Sequence, residues 1–182
     1  MNHEVMIYTP GELYNHLVDY EADDPWSKIE DMKNRIRYFK SESDYYHEKY
    51  LMFVVKDQDK IVGVAKVKVD GAPSYSHCNF NKWISYLSVD KDYFGKGIGT
   101  ALVDAIMYYA SIHKLELLCS GYSLRGWMYL RPMLHRIAKQ YDVVLCDDNS
   151  RPDFYHSDNY EGWSEEEYHS LWNQACNMKR AM

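Results

Sequence analysis

The chain has 182 residues, 46% of them hydrophobic and 26% charged, with a formal net charge of −6. That balance excludes disorder as the default state and suits one globular domain, and it leaves no global basic field to hold a nucleic-acid backbone, so nucleic acid is not an expected partner. No apolar run approaches the ~18 residues of a membrane span, and four scattered cysteines without a C-x-x-C pair or a recognisable leader point to a reducing, cytoplasmic setting with no membrane partner.

In chain order, "EVMIY" (Glu4 to Tyr8) reads as a first strand, and "TPGE" follows as a capping box with Thr9 as N-cap, Pro10 at N1 and Glu12 at N3. This opens a short helix running to about Tyr20. A second capped segment starts at Asp24-Pro25, where Trp26, Ile29, Met32, Ile36 and Phe39 recur at helical spacing. "LMFVVKDQDKIVGVAKVKV" (Leu51 to Val69) is a β-hairpin around a polar turn. On its second arm Val62, Val64, Lys66 and Lys68 alternate with Ile61, Gly63, Ala65, Val67 and Val69, which predicts a face that is wet at its far end.

"GAPSYSHCNFN" is turn-rich, and the lone His77-Cys78 pair in it has no metal-ligand spacing, so no metal is expected. "WISYLSV" is a further strand, a helix runs to about Ile112, and "LELLCS" (Leu115 to Ser120) is a short buried strand. "SLRGWMYLRPMLHRIAKQY" (Ser123 to Tyr141) has helical patterning but carries Gly126 and Pro132. An interior proline costs ~3 kcal/mol and frees the carbonyl four residues back, here that of Met128, so a kinked or two-part helix is expected. "VVLCD" (Val143 to Asp147) is the last core strand, and a Ser164/Glu167 capping box opens a final helix to about Met178. Its apolar stripe is Tyr168, Leu171, Trp172 and Ala175. This order describes an α/β domain with a mixed sheet: a core over 1–147 and a C-terminal extension over 148–182 packed on the same domain.

Between the strand at Trp83 and the helix at Thr100 lies "DYFGKGIGTAL", with glycines at 95, 97 and 99. It fails the Walker A pattern, because Lys96 is followed by Gly97, and it fails G-x-G-x-x-G, because Leu102 or Thr100 stands where the third glycine belongs. What remains is a general device. Glycines let backbone N–H groups converge without side chains in the way and permit positive φ, while the start of a helix adds unsatisfied donors and the positive end of its dipole. Gly95, Lys96, Gly97, Ile98 and Gly99 would form a main-chain pyrophosphate cradle to which Thr100 adds a hydroxyl.

"YLSVDKDYFGKGIGTALVDAIMYYA" closely resembles motif A of the GCN5-related N-acetyltransferases, the GNAT superfamily, whose pattern is arginine or glutamine, two residues, glycine, one residue, then glycine or alanine. Gly97 and Gly99 fill the two later sites, and Phe94 stands where the arginine or glutamine belongs. The match holds residue by residue from Ser85 to Ala110, and the order of elements agrees from Glu4 to Asp147. The resemblance implies a mostly antiparallel mixed sheet, splayed between the fourth and fifth strands and flanked by helices, with acetyl-CoA as co-substrate lying in the splay. Leu87, Ser88 and Val89 would then meet the pantetheine through their backbone, with the Val89 N–H polarising the thioester carbonyl. Loss of a polar side chain at Phe94 would remove one charge-assisted contact, roughly 1.5–3 kcal/mol.

The resemblance also implies an acceptor amine that attacks as the free base, and a tyrosine on the helix after the splay that protonates the departing thiolate. Tyr129 is the candidate catalytic residue, with Tyr155 in "DFYHSDNY" as competitor; Ser123 or Tyr122 occupies the place of a pantetheine-facing asparagine. Glu42, Asp44, Glu48 and His77 are candidates for the general base. Acidic residues near Asp23 and Asp24, and from Asp147 to Glu167, would suit a basic small-molecule or protein amine, although an acidic protein also carries such charge simply as a solvated surface. A homodimer remains open. Two alternatives stand beside the acetyltransferase: a GNAT-fold module that binds coenzyme A without turnover, and a transferase acting on nucleic acid or aminoacyl-tRNA. The latter would rest on Arg125, Arg131, Arg136 and Lys139 as a basic stripe.

Overall fold

Backbone pairing builds a six-stranded sheet in the order β1-β2-β3-β4-β5-β7, from Val5–Tyr8 (β1), Lys49–Asp57 (β2), Lys60–Asp70 (β3), Trp83–Val89 (β4), Leu117–Cys119 (β5) and Leu145–Asp147 (β7). The computed structural model describes residues 3–17, 49–70, 82–119, 122–147, 154–155 and 163–180. The first three pairings are antiparallel, while β4–β5 and β5–β7 are parallel. A small parallel ladder joins Tyr122–Ser123 (β6) to Phe154–Tyr155 (β8). The helices are Pro10–Leu17 (α1), Ile98–Ile112 (α2), Arg131–Gln140 (α3) and Glu165–Arg180 (α4). This is the mixed α/β sheet expected from the sequence. Among the described residues no helix is long and apolar enough to cross a membrane.

The core lies where α2 crosses one face of the sheet. Ile98, Leu102, Val103, Ile106, Met107 and Ala110 recur every three or four residues along α2 and are all buried. They meet Phe53, Val55, Ala65 and Val67 from β2 and β3. Gly63 makes this contact close: a Cβ there would stand 2.4 Å from Ile98 Cγ2 and 3.2 Å from Leu102 Cδ1. The opposite face of β3 departs from the sequence reading. Lys68 is fully buried rather than wet, its Nζ 4.3 Å from the centre of the Trp83 ring, and Lys66 Nζ lies 4.2 Å from that of Tyr50. Aromatic faces beside the ammonium groups, and apolar lysine stems along the sheet, let both positions leave bulk water.

Both capping boxes form. The Thr9 N–H and hydroxyl donate to Glu12 Oε2 at 2.7 and 2.8 Å, and those of Ser164 donate to Glu167 Oε2 at 3.0 and 2.9 Å. The Ser164 bonds hold the Glu167 carboxyl below its ordinary pKa of 4.5. A carboxylate so lowered adds stability above the unfolded-state value and loses it as the pH falls through the folded-state value. Ser164→Ala should therefore lower the melting temperature at neutral pH, with the deficit shrinking as the pH falls through the folded-state value of Glu167, in thermal melts at several pH values. Beyond the cap, Tyr168 and Ala175 reach the same core while Leu171 and Trp172 are half-buried, which is the predicted stripe.

At Pro132 the expected interruption takes a specific form. Residues Gly126–Leu130 make a π-helical turn, closed by the Arg131 N–H donating to the Gly126 carbonyl, before α3 begins with proline in its first turn. A residue without an N–H disrupts the α-ladder, and the wider turn re-pairs the neighbouring groups. The predicted second helix from Asp24 lies outside the described residues.

Candidate active site

Two features of β4 open a cleft in the sheet. The first is that, among the described residues, β5 pairs only with the start of β4, at Trp83↔Leu118 and Ile84↔Cys119, while β4 continues to Val89. The second is a bulge. The register against β3 runs Val67↔Ile84 and then Lys66↔Tyr86, leaving Ser85 as the extra residue. The bulge changes which main-chain groups face the gap. Before it, the Lys82 carbonyl points to β5, accepting from the Leu118 N–H at 3.0 Å. After it, the Asp90 N–H donates to the Val62 carbonyl at 2.8 Å, so Tyr86, Ser88 and Asp90 pair with β3. Strand alternation then turns the N–H and C=O of Leu87 and Val89 toward the open side.

The chain leaves β4 through a braced turn. Asp90 Oδ1 accepts the Asp92 N–H at 3.0 Å while its Oδ2 pairs with Lys60 Nζ at 2.8 Å. Tyr93 donates its hydroxyl to Asp57 Oδ2 at 2.6 Å, a bond that raises the phenol's pKa above the ordinary 10.0. The hairpin end thus anchors the root of the glycine loop. The His3 Nε2–H also donates to the Lys96 carbonyl at 2.7 Å.

Within the loop Gly95 and Gly97 have φ of +76° and +86°, conformations that L side chains rarely adopt. A Cβ on either would meet nothing within 4 Å. The space over the loop is open, and the first bond of α2 is the Ala101 N–H to the Gly97 carbonyl at 3.0 Å. The amides of Ile98, Gly99 and Thr100 therefore stand ahead of the intrahelical ladder at the positive end of the helix. Gly99 has a different reason to be small: its Cβ would lie 3.7 Å from Met133 Cε and 3.8 Å from Val89 Cγ2, where α3 and β4 close on the helix start. The Thr100 hydroxyl, expected to face the cradle, donates to Met133 Sδ at 3.2 Å. Ile98 is buried beneath the loop against Gly63.

After β5, Ser123 Oγ accepts the Gly126 N–H at 3.1 Å and so caps the helical segment that carries Tyr129. Tyr122 is buried, edge-on to Trp127. Tyr129 lies in the π-helical turn, 57% exposed, four residues before the Met133 that touches the glycine loop. The backbone of Tyr155 pairs with Ser123 in the small ladder. Phe94 is 45% exposed, and the Arg125 guanidinium lies 4.8 Å from its ring centre and 4.0 Å from that of Trp163. Arg131 instead lies over Trp127 at 4.5 Å. Of the four cations on which the nucleic-acid alternative would rest, Arg125 and Arg131 thus lie against aromatic rings, while Arg136 and Lys139 are exposed on α3. Glu42, Asp44, Glu48 and His77 lie outside the described residues.

A family model for the acetyltransferase (GNAT) domain matches residues 48–161. The chain belongs to the GNAT acetyltransferase family. The match takes in the hairpin, the splayed strand, the glycine loop and the Tyr129 segment, while His3 and Trp163 lie outside it. A solved structure of a candidate acetyl transferase from Pyrococcus furiosus is similar at a TM-score of 0.36 and 18% identity, over 63% of this chain and 79% of that one. No curated protein matches the sequence.

Two features of the GNAT site were beyond reading from the sequence. The Ser85 bulge leaves no composition signal, and Arg125 drew notice only as part of a surface stripe. Gly63, an isolated glycine inside a strand, did carry a signal, since that pattern often marks a close backbone approach.

Proposed function

We propose that this GNAT domain is an acetyl-CoA-dependent N-acetyltransferase acting on an amine. The carrying observation is the continuity of one surface: the open edge of Leu87 and Val89 runs directly into the glycine loop, whose open space would admit a diphosphate. An extended pantetheine offers amides that complement a strand edge, and a diphosphate complements converging N–H groups at a helix start. Leu87 and Val89 would hold the amides, and residues 95–100 the phosphates, chiefly through main chain. The bound co-substrate supplies an acetyl thioester, already activated toward an amine.

The chain's own part is threefold. The Val89 N–H, fixed by the ladder to β3, presents a preorganised dipole to the carbonyl oxygen as negative charge develops there. The parting of β4 from β5 aligns the acyl group with the acceptor side and removes the entropy of encounter. The Tyr129 hydroxyl, exposed on the π-helical turn, would donate a proton to the departing sulfur and recover one from the acylated nitrogen. A basic amine suits the net charge of −6 and the acidic residues that the sequence carries near Asp23 and from Asp147 to Glu167.

Titration calorimetry with acetyl-CoA, followed by thiol release with pooled primary amines, tests the proposal. Saturable binding with amine-dependent release supports it. Binding without release would make the chain a coenzyme-A-binding module, and no binding at all would remove the proposal. Tyr129→Phe should lower the rate constant for release by about 10²-fold, the lower end for a positioned general acid, with acetyl-CoA affinity nearly unchanged. An unchanged rate would take Tyr129 out of the chemistry.

A further inference from the structure

We infer that His3 is a positioning residue for the diphosphate end of a nucleotide-linked thioester, acting through the Lys96–Gly97 peptide of the glycine loop. The inference rests on the proposed function and deepens it at that same site. It concerns how one main-chain donor of the loop is aimed, and it needs no side-chain charge.

Three consecutive peptide groups of the loop have different supports. The Lys96 N–H donates to the Tyr93 carbonyl at 3.3 Å, closing a turn whose third residue is Gly95, at φ +76°. A positive φ at that place is what a type II turn requires, so the turn itself sets the Gly95–Lys96 peptide. At the other end the Gly97 carbonyl accepts the Ala101 N–H at 3.0 Å, so α2 sets the Gly97–Ile98 peptide. The Lys96–Gly97 peptide lies between these two hydrogen-bonded units and belongs to neither. Its carbonyl accepts from the His3 Nε2–H at 2.7 Å.

That contact matters because this peptide can turn over. Rotating a peptide plane changes ψ of the residue before it and φ of the residue after it, and leaves the rest of the chain nearly in place. Glycine accepts either sign of φ, so no side chain at Gly97 opposes the rotation. In a trans peptide the C=O and N–H point in opposite directions. With the Lys96 carbonyl held toward His3, the Gly97 N–H faces away from it. Turned over, the plane would present a carbonyl oxygen where that N–H stands, and would repel a phosphate there. Hydrogen bonding at the carbonyl also polarises the peptide and makes its N–H a stronger donor.

The sheet brings His3 to the loop. β1 pairs with β2 from Val5↔Val55, two residues short of Asp57, whose carboxylate accepts the Tyr93 hydroxyl. The residues ahead of β1 therefore run out beside the hairpin end that anchors the root of the loop. A carbonyl only accepts, so the ring nitrogen must carry a hydrogen, which the Nε2–H tautomer and the imidazolium both do. His3 precedes residues 48–161, so this support for the loop comes from outside the matched domain.

The test compares His3→Ala, which removes the donor, with His3→Gln, whose amide N–H can take the place of the Nε2–H. His3 is only partly buried, so both variants should fold. Coenzyme A is titrated by calorimetry, and S-acetylpantetheine, which has no phosphate, by chemical-shift mapping. His3→Ala should bind coenzyme A about 3- to 10-fold more weakly with S-acetylpantetheine unaffected, while His3→Gln binds both like wild type. In the proteins without ligand, the Gly97 amide resonance should move in His3→Ala and return toward its wild-type position in His3→Gln. Undiminished affinity in His3→Ala, an equal loss for S-acetylpantetheine, no recovery in His3→Gln, or a Gly97 resonance that ignores both substitutions would each overturn the inference. Wild-type protein that binds no coenzyme A would remove the proposed function itself, and this inference with it, an outcome visible before any variant is made.

Discussion

Gly97→Val is expected to yield a folded protein that no longer retains coenzyme A. Gly97 is the N-cap of α2 at φ +86°, and a β-branched side chain there is a true backbone outlier. Forcing it costs about 1–3 kcal/mol of stability, which a domain with this core should survive. Binding suffers more, because the space a Cβ would enter is empty of protein atoms within 4 Å and is the space proposed for the diphosphate. Displacing two or three charge-assisted main-chain bonds amounts to at least ~100-fold in affinity. Gly97→Asn separates the two effects. Asparagine tolerates left-handed backbone, so stability should stay close to wild type, yet its side chain still stands over the loop. Thermal melts and calorimetry on both variants check this. Near-normal binding by Gly97→Asn would mean that the phosphates lie elsewhere.

Local signals were read well from the sequence, and signals that depend on a distant partner were not. Thr9 with Glu12, and Ser164 with Glu167, satisfy one another within three residues, so the pattern alone specifies the bonds that form. The glycine loop was legible for the same reason, since positive φ and a helix start are properties of a short stretch. Proline at 132 announced a break, but the π-helical turn by which the chain answers it, with Trp127 buried inside the turn, has no local pattern of its own. The Ser85 bulge, which turns Leu87 and Val89 outward, exists only in register against β3. Lys68 shows the limit of alternation: the period placed it on the correct face, but what covers that face was not in the pattern. Arg125 combines both difficulties, because its partners lie at positions 94 and 163 and only the folded chain brings them together.

Gly63 carries the second large effect. Replacing a strand glycine by alanine ordinarily stabilises a protein by about 0.4–1 kcal/mol through the unfolded chain. Here the sign should reverse. The new Cβ would stand 2.4 Å from Ile98 Cγ2, a methyl of a β-branched, 1% exposed side chain with little rotamer freedom. Either β3 or the first turn of α2 must move, a case of overpacking that costs about 1–3 kcal/mol for alanine and more for valine. Ile98 directly follows Gly97, so moving the helix start also disturbs the loop amides, and Gly63→Ala should weaken coenzyme A binding as well as stability. Ile98→Ala removes the colliding methyl. In a double-mutant cycle the Gly63→Ala/Ile98→Ala pair should therefore be more stable than the sum of the single changes by about 1 kcal/mol, within the range seen for residues in contact. Denaturant unfolding of the four proteins measures the coupling, and calorimetry on the same four shows whether affinity follows it. A Gly63→Ala protein that gains stability, or a coupling near zero, would mean that α2 does not rest on β3 at this point and that the glycine loop owes its position to something other than this contact.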